Sequence, residues 1–215
     1  MSAQPPLDVV VVPAGADRFA DVATMLNPNG RPQACWCMHW RLPPREDANL
    51  RHEYLQALAE QDPAPGLLAY LADGEGADVG KGADDGADRT VVGWVGLAPK
   101  SASRTLQRSR LLPRGEPDTW PTTWAVMCFV VRPGYRRRGV ARALLEAAVD
   151  YARDHGGRVV EGYPVEAGGS RVPVSAGFVG TVEMFEAVGF ERVGETPATS
   201  GKRPRWVLRR DLATG

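Results

Sequence analysis

One segment restricts this chain more than any other. Trp124 to Val131 reads WAVMCFVV, an unbroken apolar run. A run that short and continuous predicts a central strand buried on both faces. It passes through Arg132-Pro133-Gly134-Tyr135, a turn, and the basic triplet Arg136-Arg137-Arg138 to Gly139. A helix is expected from about Val140 to His155, with Ala141, Leu144, Leu145, Ala148 and Ala152 on one face. Gly156-Gly157 closes it. The start of such a helix leaves about four backbone N–H groups without intrahelical partners. It also carries partial positive charge. Together these predict an anion site suited to a pyrophosphate. Gly139 lets the backbone approach a phosphate without a Cβ in the way, and Ala141 is small for the same reason. Arg136, Arg137 and Arg138 add attraction for a polyanion.

The remaining pattern alternates strands and helices without internal repeats. Leu7 to Val12 reads as a first strand. Ala16 to Met25 has helical spacing, stopped by Asn27-Pro28-Asn29-Gly30. Pro43-Pro44 leads into a helix from Arg45 to Gln61. Strands follow at Gly66–Leu71, Thr90–Leu97 and Val159–Val165. A short helix over Thr181–Val188 precedes strands at Glu191–Glu195 and Trp206–Asp211. Residues 73–89, rich in Gly, Asp and Ala, read as a flexible polar loop between two antiparallel strands. They lack the register and terminal Glu of a Ca²⁺ loop. The expectation is one mixed α/β domain over residues 1–215.

Composition narrows the function classes. Lys plus Arg and Asp plus Glu number 26 each, so bulk charge does not draw the chain to nucleic acid or an anionic membrane. The balance hides separated blocks. Residues 73–88 hold six acids and one lysine, whereas 100–138 hold nine basic residues against Glu116 and Asp118. No run approaches the roughly 18 apolar residues of a transmembrane helix. The start, MSAQPPLDVVVV, lacks the basic and apolar regions of a signal peptide. The cysteines at 35, 37 and 128 make no secreted disulfide framework. A cytoplasmic location is therefore expected.

The order of strand, Pro-Gly turn, Arg136-Arg137-Arg138-Gly139-Val140-Ala141 and apolar helix resembles the Gcn5-related N-acetyltransferases (GNAT), whose signature is [QR]-x-x-G-x-[GA]. The run Phe185-Glu186-Ala187-Val188-Gly189-Phe190 before a strand fits the family's closing helix. The resemblance implies a central, mostly antiparallel mixed sheet of about seven strands flanked by helices. It also implies a V-shaped opening between the fourth and fifth strands. Acetyl-CoA is the implied cosubstrate, with no metal. Its pantetheine arm would meet backbone groups of Phe129, Val130 and Val131. Its pyrophosphate would sit on amides from Arg137 to Arg142. Arg136, Gly139, Val140 and Ala141 complete that cofactor set.

The usual acid–base residues are changed. The Tyr that commonly protonates the leaving thiolate corresponds to Phe185, the helix-starting Asn lies near Phe178, and the fourth-strand Glu is Ala125. Replacement candidates are Tyr163 and Glu161 on the fifth strand and Ser175 before the last helix. Cys128 reads as core. In Ala34–Arg41, Cys35, Cys37 and His39 lack zinc-ligand spacing. Trp36, His39 and Trp40 either line an acceptor pocket or pack into the core. Lys202-Arg203-Pro204-Arg205 reads as a solvated hairpin that could also meet the acceptor or a nucleotide phosphate. The expected activity is acetyl transfer to a primary amine of a small molecule. Two alternatives stay open: an acyl-CoA-binding sensor without catalysis, and an acetyltransferase acting on a protein N-terminus or lysine. The oligomeric state stays open, a homodimer included.

Overall fold

A computed structural model describes residues 5–31, 33–42, 48–72 and 89–212. The 73–88 part of the expected polar loop, and the 43–47 approach to the second helix, lie outside the described residues. One seven-stranded sheet organises the chain, in the order β1-β2-β3-β4-β5-β7-β6. The strands are β1 Val9–Pro13, β2 Gly66–Leu71, β3 Val91–Pro99, β4 Thr123–Val131, β5 Val159–Gly162, β6 Glu191–Ser200 and β7 Arg203–Asp211. All neighbours are antiparallel except β4 and β5. The helices are α1 Phe19–Leu26, α2 Arg51–Ala59, α3 Arg104–Gln107, α4 Val140–Asp154, α5 Val174–Gly177 and α6 Val182–Glu186. None among the described residues is long and apolar enough to cross a membrane.

Strand β4 is central because both its faces are apolar. One face joins β3, α4 and α6 in a core that includes Val95, Phe129, Leu144, Leu145, Val160 and Phe185. The other faces α1, α2 and the 34–42 segment through Met127, Trp94 and Leu68. Each fully buried Leu or Val contributes about 1.5–3 kcal/mol over an exposed one. Helix α4 lies close to β3 because Gly93 has no Cβ: an added one would come within 2.8 Å of Val140 and 2.9 Å of Leu144.

Three expectations are corrected. The fifth strand ends at Gly162 rather than Val165, and Val165 forms only isolated bridges to Thr181 and Arg205. The sixth strand runs five residues further, to Ser200, because its hairpin with β7 continues to Arg203. Cys128 is not a free core thiol. It is disulfide-bonded to Cys37 across Gly96, where a Cβ would strike the Cys37 sulfur. A separation of 91 residues gave that pairing no spacing signal.

The β4–β5 pairing is short, from Thr123–Val159 to Val126–Gly162. Beyond it the strands part. At that point the fully buried Phe185 ring packs on the sheet face at Gly162, with Phe129 at 6.1 Å between ring centres. A Gly162→Ala change would drive a methyl into that ring. The expected cost is about 1–3 kcal/mol, read as a lower urea midpoint with unchanged slope. An unchanged midpoint would show that Phe185 yields freely.

Candidate active site

Parting from β5 leaves the outer edge of β4 without a strand partner. Buried backbone groups then find other partners. The Phe129 N–H donates to the Phe178 carbonyl at 2.6 Å. The Val131 carbonyl accepts from Arg136 Nε at 2.9 Å. The segment carrying α5 and Phe178 therefore lies against the opening, in the place expected for an extended ligand. Beside it is a cavity of about 580 Å³. Phe129, Val130 and Val131 form one wall. Val172, Val174 and Phe178 form the facing wall, and Met184 of α6 contributes from the side.

The start of α4 forms the polar end of that cavity. Gly139 caps the helix at φ 83°, in the left-handed region that glycine favours. Arg137 is also left-handed, at φ 59°. Such alternation turns successive N–H groups toward one concavity. Arg136, Arg137, Gly139, Val140, Ala141 and Arg142 all line it. Arg138 does not. Its guanidinium donates to the Pro5 carbonyl at 3.3 Å, and its own carbonyl accepts from Leu7 N–H at 2.9 Å. It anchors the N-terminal segment instead, because a left-handed residue before it turns its side chain away from its neighbours.

The acid–base candidates Glu161 and Tyr163 come together, away from the cavity lining. Glu161 is buried opposite Ala125 in the β4–β5 register. Its carboxylate accepts from Lys100 Nζ at 2.6 Å, Arg209 at 2.5 Å and the Tyr163 hydroxyl at 2.8 Å. Burial alone would raise its pKa. The Lys100 charge, then hydrogen bonds from Lys100, Arg209 and Tyr163, outweigh that and hold it below its ordinary value. Burial, then the Glu161 charge, push the Tyr163 phenol well above its ordinary value. This is a saturated buried ion network, not the arrangement of an available base. Ser175 sits exposed on α5 and does not line the cavity.

The 34–42 segment divides between the two roles left open for it. Trp36 packs into the core, stacked with Phe19 at 6.3 Å and edge-on to His52 at 4.8 Å. His39 is exposed and edge-on to the half-buried Trp40 at 4.7 Å. Burial lowers the His39 pKa, and Arg205 and Arg51 lower it further. Among the described residues, no group of three His, Cys, Asp or Glu could hold a metal ion. Sequence reasoning missed Lys100 and Arg209 as partners of Glu161. It also read Arg205 as hairpin, whereas that residue is buried on β7. Only the alternation of β7, with Arg205 and Val207 buried on one face, carried a signal for it.

Comparison with known proteins gives this geometry its context. The sequence model of the acetyltransferase (GNAT) family matches residues 35–165. No curated protein sequence matches the chain. Among solved structures, a GCN5-related N-acetyltransferase from Kribbella flavida is 21% identical, with TM-score 0.53 over 95% of this chain and 98% of that one. The Salmonella typhimurium protein yncA, solved with its cofactor acetyl-CoA, is 16% identical, with TM-score 0.53 over 96% and 95%. A ribosomal-protein-alanine N-acetyltransferase from Brucella melitensis is 16% identical, with TM-score 0.51 over 94% and 99%.

The Glu161 network makes a pH-dependent prediction. A carboxyl held below its usual 4.5 contributes stability that is complete above that value. The contribution is lost as pH falls through the lowered folded value. Glu161→Gln leaves Lys100 and Arg209 facing a neutral amide and is expected to cost about 3–5 kcal/mol at neutral pH. Urea titrations at descending pH should show the gap from the unaltered protein narrowing in acid. Parallel stability curves would remove the network from the pH dependence.

Proposed function

From the premise that the chain belongs to the acetyltransferase (GNAT) family, we propose that it transfers an acetyl group from acetyl-CoA directly to a primary amine of a small molecule. Acetyl-CoA is the family's cosubstrate and supplies an activated acetyl thioester. The observation that carries the reading is the cavity joining the unpaired edge of β4 to the left-handed start of α4. The residues present suit the group. A pyrophosphate is matched by the free N–H groups of the first turn of α4, with Arg136, Arg137 and Arg142 at the rim. The apolar walls of Phe129, Val172 and Met184 suit the pantetheine arm.

The chain's own contribution is binding and orientation. Phe185 is buried and has no proton to give. The Tyr163 proton is committed to Glu161. A thiolate of ordinary pKa, about 8.5, needs little protonation help near neutral pH. Holding amine and thioester together supplies much of the rate by itself. The site of action is the cytoplasm, where acetyl-CoA is available.

A second reading has specific support. Phe178 occupies the Phe129 N–H, and the positions of the usual base and acid are Ala125 and Phe185. Those features suit an acyl-CoA sensor that binds without turnover. Acetylation of a protein N-terminus or lysine is a third reading, favoured only by relatives of like fold such as the Brucella enzyme.

Thiol release from acetyl-CoA against a panel of primary amines separates these readings. Release with small amines supports the proposal. Tight acetyl-CoA binding with no release supports the sensor. Gly139→Ala places a side chain at φ 83°, a strain of about 1–2 kcal/mol. It should weaken acetyl-CoA binding by about tenfold in calorimetry. Unchanged affinity would exclude the α4 start as the phosphate site.

A further inference from the structure

The arginines differ in how they are satisfied, and of the four that follow only Arg41 and Arg205 are buried. Arg41 gives its guanidinium to three carbonyls, those of Cys37 at 3.2 Å, Pro65 at 2.6 Å and Leu97 at 2.9 Å. Arg209 is paired with Glu161. Arg203 spreads over the Glu166 and Ala167 carbonyls and the Ser170 hydroxyl. Arg205 is 5% exposed and makes one hydrogen bond, from Nε to the Tyr163 carbonyl at 2.7 Å. Among the described residues its two terminal nitrogens meet no acceptor, and no carboxylate faces it. Glu161, the carboxylate that Tyr163 donates to, is already held by three donors.

Those nitrogens are not sealed in. The buried side-chain polar atoms without partners among the described residues are three tryptophan nitrogens, of Trp94, Trp124 and Trp206. The Arg205 terminal nitrogens therefore keep contact with solvent although the rest of the residue is buried. Burial draws the Arg205 pKa down to about 10, so it remains a cation at neutral pH. A desolvated cation without a counter-ion is costly unless something pairs with it.

This cation does not line the cavity beside β4; it lies beyond the end of β5, next to Trp40 of the 34–42 segment. Arg205 pairs with Val165 in an isolated bridge just beyond the end of β5. It rests on Tyr163, the residue following Gly162 where β4 and β5 part. Tyr163 lies on the face of the sheet opposite α4, in a cluster with Leu106, Ala125 and Val207. The Trp40 ring packs against that cluster, and the Arg205 guanidinium lies over it at 5.6 Å. The Trp40 ring lies within cation–π range and Nε is occupied, so the remaining edge offers a fork of two N–H donors. Such a fork matches a carboxylate with two parallel hydrogen bonds.

We infer that the acceptor amine carries a carboxylate and that Arg205, braced by Trp40 and the Tyr163 carbonyl, binds it. The apolar surroundings of Trp40 and Leu106 suit an apolar remainder, as in a hydrophobic α-amino acid. The inference rests on the small-molecule acetyl-transfer reading and names its substrate class.

The experiment measures binding and turnover separately. L-Phenylalanine, L-leucine and L-methionine are each compared with their α-carboxamides. Binding to the protein saturated with coenzyme A is followed by calorimetry, and transfer by thiol release. The expected result is that each free acid binds about 10- to 100-fold more tightly than its carboxamide. Arg205→Gln should abolish that preference, and Arg205→Lys should restore part of it. Melting temperature and acetyl-CoA affinity report whether each variant is folded. If Arg205→Gln fails to fold, the acid–amide comparison on the unaltered protein decides alone. Equal or tighter binding of the carboxamides overturns the inference. So does absence of binding by all three acids, or an undiminished preference in folded Arg205→Gln. Failure of the acetyl-transfer reading is distinguishable: the acids would bind with the expected preference while no thiol is released.

Discussion

The seat of Phe185 on Gly162 holds the rest of the site in place. A full benzyl group lies where β5 has no side chain, and it also meets Phe129 of β4 and Phe190 at 4.9 Å. The only parallel strand pair among the described residues ends there, after four residue pairs. Past that point the backbone of β4 must find partners other than a strand. Phe129 takes Phe178, Val131 takes Arg136, and the cavity opens between them and the α4 start. The same residue accounts for two facts usually kept apart. It packs beside the point where the strands part, and it withholds a phenolic proton because it is Phe and not Tyr.

The two faces of the opening have opposite electrostatic characters. On the α4 face, the helix start, Arg136, Arg137 and Arg142 line the cavity without a carboxylate among them. On the opposite face, Glu161 already has its cations, drawn from the turn after β3 and from β7. Lys100 and Glu161 are each almost wholly buried, so neither can be removed without leaving a charge in the interior. This network sets the Tyr163 carbonyl that Arg205 rests on. A rigid floor of this kind favours orientation over proton transfer, which suits a site lacking the usual acid and base.

Much of this was legible in the residues. The apolar run of β4, the turn after it and the face of α4 are local patterns, and they were placed to within a residue. The geometry of the stretch from Arg136 to Arg142 was legible because a helix start imposes its own geometry on whatever sequence begins it. Arg138 shows where that reasoning stops. It belongs to the motif, yet it turns toward Pro5, a contact 133 residues away in sequence. Cys37 and Cys128 meet only because the 34–42 segment folds over Gly96. Ser175 and Glu161 looked alike as polar candidates, and only packing exposes one and saturates the other.

Sequence alone determined the main strands and helices, the family resemblance and the turn into the start of α4, because each depends on short-range periodicity and backbone stereochemistry. Tertiary structure alone decided which charges are already paired. Lys100 and Arg209 reach Glu161 across 61 and 48 residues, and Arg205 reaches the Tyr163 carbonyl across 42. Electrostatic pairing depends on distance in space and on burial, neither of which is written in neighbouring residues. For that reason the unpaired guanidinium of Arg205 could be recognised only after Arg41, Arg203, Arg209 and Lys100 had been assigned their partners.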